Sequence, residues 1–132
     1  MTRVATCRCG QARAVCEGEP VRVSVCHCLS CQQRSGSAFA AQARFERDCV
    51  TVSGAFSDYE LAGDSGARAT FHFCPTCGST VWYEAEGEPD LIAVPIGAFA
   101  DPTAFGPPLY SVYEERKLAW VEITSPGTEH YD

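Results

Sequence analysis

Arg68-Ala69-Thr70-Phe71-His72-Phe73-Cys74-Pro75-Thr76-Cys77-Gly78-Ser79-Thr80-Val81-Trp82-Tyr83-Glu84 is the stretch that decides the fold. Over Arg68–Cys74 the side chains alternate, Phe71 and Phe73 to one side, Thr70, His72 and Cys74 to the other. A period of two marks a strand with one buried face. Thr80–Glu84 resumes the strand pattern after the cysteine pair, so the two runs predict a hairpin bent around a metal ion. Gly78, directly after the second cysteine, suits a knuckle, where tight backbone leaves amides free to point at sulfur.

A matching knuckle, Cys7-Arg8-Cys9-Gly10, lies near the start of the chain. Cys7, Cys9, Cys74 and Cys77 complete a closed four-thiolate set by themselves. Several thiolates around one centre select zinc or iron–sulfur over calcium or magnesium. A structural zinc of this kind contributes folding energy directly, on the order of 10 kcal/mol in small zinc peptides. Joining the start of the chain to its middle would staple a β-domain.

The third cysteine group, Cys26-His27-Cys28-Leu29-Ser30-Cys31, reads differently. Its three cysteines are too close together to pair with one another comfortably, yet all three can turn toward one point at the end of a strand. Three thiolates leave one corner of a tetrahedron free, and an open corner separates a catalytic zinc from a structural one. The reading is therefore two zinc ions per chain, one shut and one open. A fourth ligand could come from His27, His72, Cys16 or Cys49, but a water or an exogenous thiolate is favoured. His27 sits between two ligands and its ring would have to fold back to join them. The spacings do not match ferredoxin runs. Cys16 and Cys49, single cysteines on strand patterns, read as core packing.

Composition bounds the alternatives. The chain has 132 residues, which predicts a single domain spanning 1–132. A net charge of −7, with no block of five like charges, opposes a nucleic-acid backbone binder. Arg34, Arg44, Arg47, Arg68, Arg116 and Lys117 are still available to hold a small anion. No run of about 18 apolar residues is present to span a membrane. The N-terminal Met1–Cys7 lacks the apolar core of a signal peptide, so a cytoplasmic protein is expected. There, nine cysteines, seven of them in tight groups, mean metal or redox chemistry rather than disulfides.

The remainder reads as short strands. Val21, Val23 and Val25 alternate with Arg22 and Ser24 and deliver Cys26 at the strand end, after a strand around Gln11–Cys16 and the turn Glu17–Pro20. Further strands are expected at Ala38–Ala43, Cys49–Ser53, Phe56–Leu61, Leu91–Ile96, Leu109–Tyr113 and Leu118–Ile123. Gln32–Ser37 and Gly63–Gly66 are expected to be loops. One helical turn fits within Gly97–Phe105, and Pro107-Pro108 forbids extending it. Residues from Ser125 on, and 126–132 in particular, read as a loose tail. The fold class is all-β, or strongly β-dominated.

The order Cys7-Arg8-Cys9-Gly10, Cys26 through Gly36, Phe73-Cys74-Pro75-Thr76-Cys77-Gly78-Ser79, Ile96-Gly97-Ala98-Phe99 and Trp120 resembles the glutathione-dependent formaldehyde-activating enzyme family, which also includes the centromere protein V domain. The resemblance implies a zinc-stapled β-tent of short antiparallel strands, related to the methionine sulfoxide reductase B fold. It implies structural zinc at Cys7, Cys9, Cys74 and Cys77, and catalytic zinc at Cys26, Cys28 and Cys31. The implied activity is that of a carbon–sulfur lyase, condensing glutathione, or a similar small thiol, with formaldehyde or another small aldehyde. Arg34, just after the triplet, could meet a glutathione carboxylate. Tyr110-Ser111-Val112-Tyr113 departs from the histidine-containing strand expected of relatives, which bears on substrate identity more than on metal binding. Rival readings are a non-catalytic thiol-carrier or protein-interaction module on the same fold, and a methionine sulfoxide reductase-like enzyme with Cys16 or Cys49 as its nucleophile. Monomer and homodimer are both compatible with the sequence.

Overall fold

The computed structural model describes residues 1–63 and 66–132. Asp64 and Ser65, part of the loop expected at Gly63–Gly66, lie outside the described residues. Among the described residues eleven strands form two sheets: β1 (Thr2–Thr6), β2 (Arg13–Glu17), β3 (Arg22–Cys26), β4 (Ala40–Glu46), β5 (Val50–Ser53), β6 (Ser57–Ala62), β7 (Arg68–Phe73), β8 (Thr80–Ala85), β9 (Leu91–Pro95), β10 (Tyr110–Val112) and β11 (Glu129–His130). The smaller sheet has the order β1-β2-β5, and the larger β11-β10-β3-β4-β9-β8-β7-β6. The fold is β-dominated, as the alternation predicts. Pairing is antiparallel except at β10, which runs parallel to both β3 and β11.

The main core lies between the sheets. The small sheet contributes short side chains, Ala5, Ala14 and Cys16, while the large one contributes Phe45, Val81, Ile92 and Val94. Small residues on one side let the backbones approach, and Phe45, Phe99 and Phe105 fill the gap with tilted and edge-on ring contacts. Alternation along β4 puts Ala43 and Phe45 into this core and turns Gln42 and Arg44 to the opposite face. That opposite face carries the cleft described below.

Four expectations are corrected. Gln32–Ser37 is not all loop, because Leu29–Ser35 forms a short helix, α1. Its N-cap is Cys28, whose sulfur accepts from the Cys31 amide as a Ser or Asp side chain would, and Gly36 ends it in the left-handed conformation at φ 64°. Leu118–Ile123 is not a strand, since the free edge of β10 is already taken by β11; it is irregular, with a turn closed by Val121 N–H on the Leu118 carbonyl at 3.0 Å. The tail is consequently not loose. Glu129 N–H donates to Leu109 O and Tyr131 N–H to Ser111 O, both at 2.9 Å, and His130 meets Glu114 at 2.7 Å. The single helical turn expected in Gly97–Phe105 is two 3-10 turns, Ile96–Ala98 and Pro102–Ala104.

Gly54 turns the chain between β5 and β6 against the loop that carries the first cysteine pair. Its φ is +95°, and a Cβ there would lie 2.2 Å from the Gln11 carbonyl oxygen. Both the conformation and the clash penalise any side chain. Gly54→Ala is expected to destabilise the fold by about 3 kcal/mol, read as a fall in thermal midpoint of the metal-loaded protein; an unchanged midpoint would show that the turn can yield.

Candidate metal centres

Each knuckle sits where a strand ends. Cys7 follows β1, and Cys74 and Cys77 occupy the turn between β7 and β8. Gly10 and Gly78 both have left-handed backbone, at φ 88° and 81°. The four ligand atoms of Cys7, Cys9, Cys74 and Cys77 all lie within 4.8 Å of one another, with Cys7 to Cys9 at 3.6 Å and Cys9 to Cys74 at 3.7 Å. A tetrahedron with metal–sulfur bonds of about 2.3 Å has edges of about 3.8 Å. The sulfur set therefore fits one tetrahedral ion of the soft, thiophilic kind.

The surrounding donors favour thiolates. Ala12 N–H points at Cys7 Sγ at 3.3 Å, Thr76 and Cys77 amides at Cys74 Sγ at 3.3 and 3.4 Å, and Gln11 Nε2 at the same sulfur at 3.0 Å. Burial alone would raise Cys74, but these donors bring it down to about 7. Backbone and side-chain hydrogen bonds from Ser79 bring Cys77 down to about 5. Gln11 also holds the turn after β5, accepting from Ala55 N–H at 2.9 Å and donating to Ala55 O at 2.8 Å.

The second cluster forms where β3 gives way to α1. Cys26 is the last residue of β3, Cys28 caps the helix and Cys31 lies in its first turn, so a strand–helix corner gathers three sulfurs within 4.8 Å. Among the described residues no histidine or carboxylate completes the set. His27 is fully buried and turned away, with Nε2 2.9 Å from Ser111 Oγ and its ring against Phe39. Burial lowers its pKa, leaving it neutral. His27 N–H also donates to Val112 O at 3.0 Å, so this spacer ties the corner to β10 instead of supplying a ligand. His72 is elsewhere again: its ring stacks on Trp82 at 3.7 Å, with Asp58 at 2.5 Å and Glu84 at 2.7 Å on its two nitrogens.

The three sulfurs line one end of a cleft of about 520 Å³ on the outer face of the large sheet. Arg34, on α1, is part of its wall. Its guanidinium carbon lies 4.8 Å from the Phe71 ring centre and 4.9 Å from that of Tyr83. Cys31 is lowered to about 6, first by hydrogen bonding with Cys26, against burial, and then by Cys28 and the Arg34 guanidinium. Cys26 is pushed up, by donating to Cys31 and by burial. Burial raises Cys28 as well; a metal ion held by the three sulfurs would favour all three as thiolates.

Several cleft residues escape a reading of the cysteines alone: Ser24, Gln42, Arg44, Tyr83, Tyr110 and Tyr113. Tyr113 is the one non-glycine residue with positive φ among the described residues, at 56°. The available signal was the polar half of the β3 alternation, Arg22 and Ser24, which faces a cleft and not open solvent. Cys16 and Cys49 do not line it. Cys16 is buried and raised to about 12 by desolvation, a poor nucleophile.

A β-dominated protein with one closed four-thiol cluster and one open three-thiol cluster is the class that fold and geometry define. The chain belongs to the glutathione-dependent formaldehyde-activating enzyme family, whose model matches residues 2–116. Among solved structures, that of a Rhodobacter sphaeroides protein superposes with a TM-score of 0.59 at 19% identity, covering 98% of this chain and 99% of that one, a likeness of fold. No curated protein matches the sequence. Among the described residues no helix is long and apolar enough to cross a membrane.

The two clusters should separate by substitution. Metal analysis of the purified chain is expected to give two equivalents, falling to one in Cys31→Ser with little loss of thermal stability. Cys74→Ser should lose one equivalent and most of the folding stability, since a structural ion in a four-thiolate site contributes on the order of 10 kcal/mol in small zinc peptides. Equal destabilisation by both variants would deny the division into a stapling and an open site.

Proposed function

We propose that this chain is a zinc enzyme that adds a small thiol, glutathione or a relative, to formaldehyde or another small aldehyde, a reaction of the carbon–sulfur lyase class. The observation that carries the reading is the three-sulfur corner whose free side opens into a cleft, in a member of a family named for this chemistry. Cys7, Cys9, Cys74 and Cys77 hold the structural zinc, and Cys26, Cys28 and Cys31 the catalytic one. Bound there, zinc supplies a fourth position at which a thiol loses its proton near neutral pH.

The chain's own residues supply the rest. The thiolate sulfur forms a bond to the carbonyl carbon, the π electrons move to oxygen, and that oxygen takes one proton, giving an S-hydroxyalkyl product. Tyr83 is suited to stand beside the developing alkoxide. It lines the cleft, and burial raises its hydroxyl to about 12, so it remains a neutral donor at pH 7. Arg34 remains the binding residue nearest the cluster. Its Nε is buried without a protein partner, and its guanidinium lines both the main cleft and a neighbouring groove of about 490 Å³. In this role it meets a substrate carboxylate while also steadying the Cys31 thiolate.

Formaldehyde consumption with glutathione, followed by NMR, is expected to exceed the spontaneous rate and to return to it in Cys28→Ser. Turnover no faster than the background, with glutathione still bound, would favour a thiol carrier. Arg34→Ala should weaken glutathione binding by about tenfold, the scale of a charge-assisted hydrogen bond, with two zinc ions retained; unchanged affinity would remove Arg34 from the site.

A further inference from the structure

The cleft floor has a second charged end. Residues two apart on a strand share a face, so Cys26, Ser24 and Arg22 form one row on β3. The register Cys26↔Ala40, Ser24↔Gln42, Arg22↔Arg44 sets Gln42 and Arg44 in a second row beside it. Four residues of extended chain put the Cα of Arg22 about 13 Å from that of Cys26. At that far end Arg22 Nη2 meets Glu88 Oε1 at 2.5 Å, and Arg44 Nε approaches the same oxygen at 3.5 Å. Two guanidinium groups against one carboxylate leave one positive charge over. Both arginines line the cleft, whereas Glu88 backs them from outside it.

Between the arginines and the sulfurs lies an unmet acceptor. Gln42 is 2% exposed, and its Nε2 donates to Ser24 Oγ at 2.8 Å. Its Oε1 is buried with no partner. Arg44 Nη1 donates to the same Ser24 hydroxyl at 3.1 Å, fixing this guanidinium over the floor. A buried acceptor on a cleft floor is costly unless a ligand brings it an N–H.

We propose that Arg22 and Arg44 bind the distal carboxylate of the thiol substrate, while Gln42 Oε1 accepts from an amide or ammonium N–H along the way. The substrate is then a peptide-like thiol with a carboxylate about 10 Å from its sulfur. This rests on the three-sulfur corner being the thiol site. Arg34, beside the sulfurs, is left for a nearer anionic group.

Calorimetric titration of the zinc-loaded full chain with S-methylglutathione, whose sulfur cannot ionise, isolates the distal contacts. Arg22→Gln and Arg44→Gln are each expected to weaken its binding about fivefold or more, while leaving 2-mercaptoethanol binding unchanged. Glu88→Gln removes the competing carboxylate and should tighten it a few-fold. A merely structural cluster would respond the same way to loss of either partner, so weaker binding in Glu88→Gln overturns the proposal, as does equal affinity in all variants or no binding of S-methylglutathione at all. Cobalt-loaded protein keeps the two readings apart: an unchanged visible spectrum with 2-mercaptoethanol and glutathione would overturn the open thiol site, whereas a shifted spectrum with arginine-independent affinity would overturn only the distal site.

Discussion

Sulfur crowding is the constraint on which the structure depends. Four thiol groups within 4.8 Å cannot all ionise beside one another without a cation, yet the amides of Ala12, Thr76 and Cys77 and the Gln11 side chain are aimed at sulfur as donors. Those donors lower the cost of thiolates; an ion held there would remove the remaining repulsion. Such an ion would link the end of β1, in the small sheet, to the β7–β8 turn of the large one. The core between the sheets is thin on the small-sheet side, with Ala5, Ala14 and Cys16, and such a face buries little apolar area. A metal cross-link at one end of that interface would compensate for what packing alone supplies weakly.

The open corner is a product of chain geometry more than of ligand shortage. Two histidines stand within reach in sequence, but both are engaged. His27 is held by Ser111 and by the Val112 carbonyl, so its ring lies on the far side of the corner. His72 is fixed between two carboxylates and stacked on Trp82. Parallel pairing of β10 with β3 is what makes the first of these possible, placing Ser111 opposite Val25 and Val112 opposite Cys26. The tail strand β11 then closes the edge beyond β10, where the sequence had suggested loose chain.

What was legible follows from which interactions are local. The knuckles, the hairpin of β7 and β8 and the strand ending at Cys26 are written in spacings of two and three residues, and such spacings survive any tertiary arrangement. The helix after Cys28 was not legible, because its cap is a cysteine sulfur where Ser or Asp is the usual signal. Strand β11 has two residues and exists only through pairing with β10, so no local pattern encodes it. The cleft was half visible. Arg22 and Ser24 were recognised as the polar face of an alternating strand, but only the register with Gln42 and Arg44 shows that this face is enclosed.

That enclosure bears on how the chemistry must be divided. Three cysteinate ligands donate enough charge to leave a zinc ion a weak Lewis acid, better at keeping a thiol ionised than at polarising a carbonyl. On the proposed function, activation of an aldehyde would then fall to the chain's own donors and to positioning. In that reading Tyr83, buried against Phe71 and the Arg34 guanidinium, would be a donor that needs no reorganisation when charge develops on oxygen. Formaldehyde, on the same proposal, offers almost nothing to grip, so orientation would have to come from the thiol partner, which the proposed distal contacts would hold at both ends of the cleft. Binding energy gathered at remote charges would be used at the sulfur, where a small displacement decides whether the reacting atoms meet.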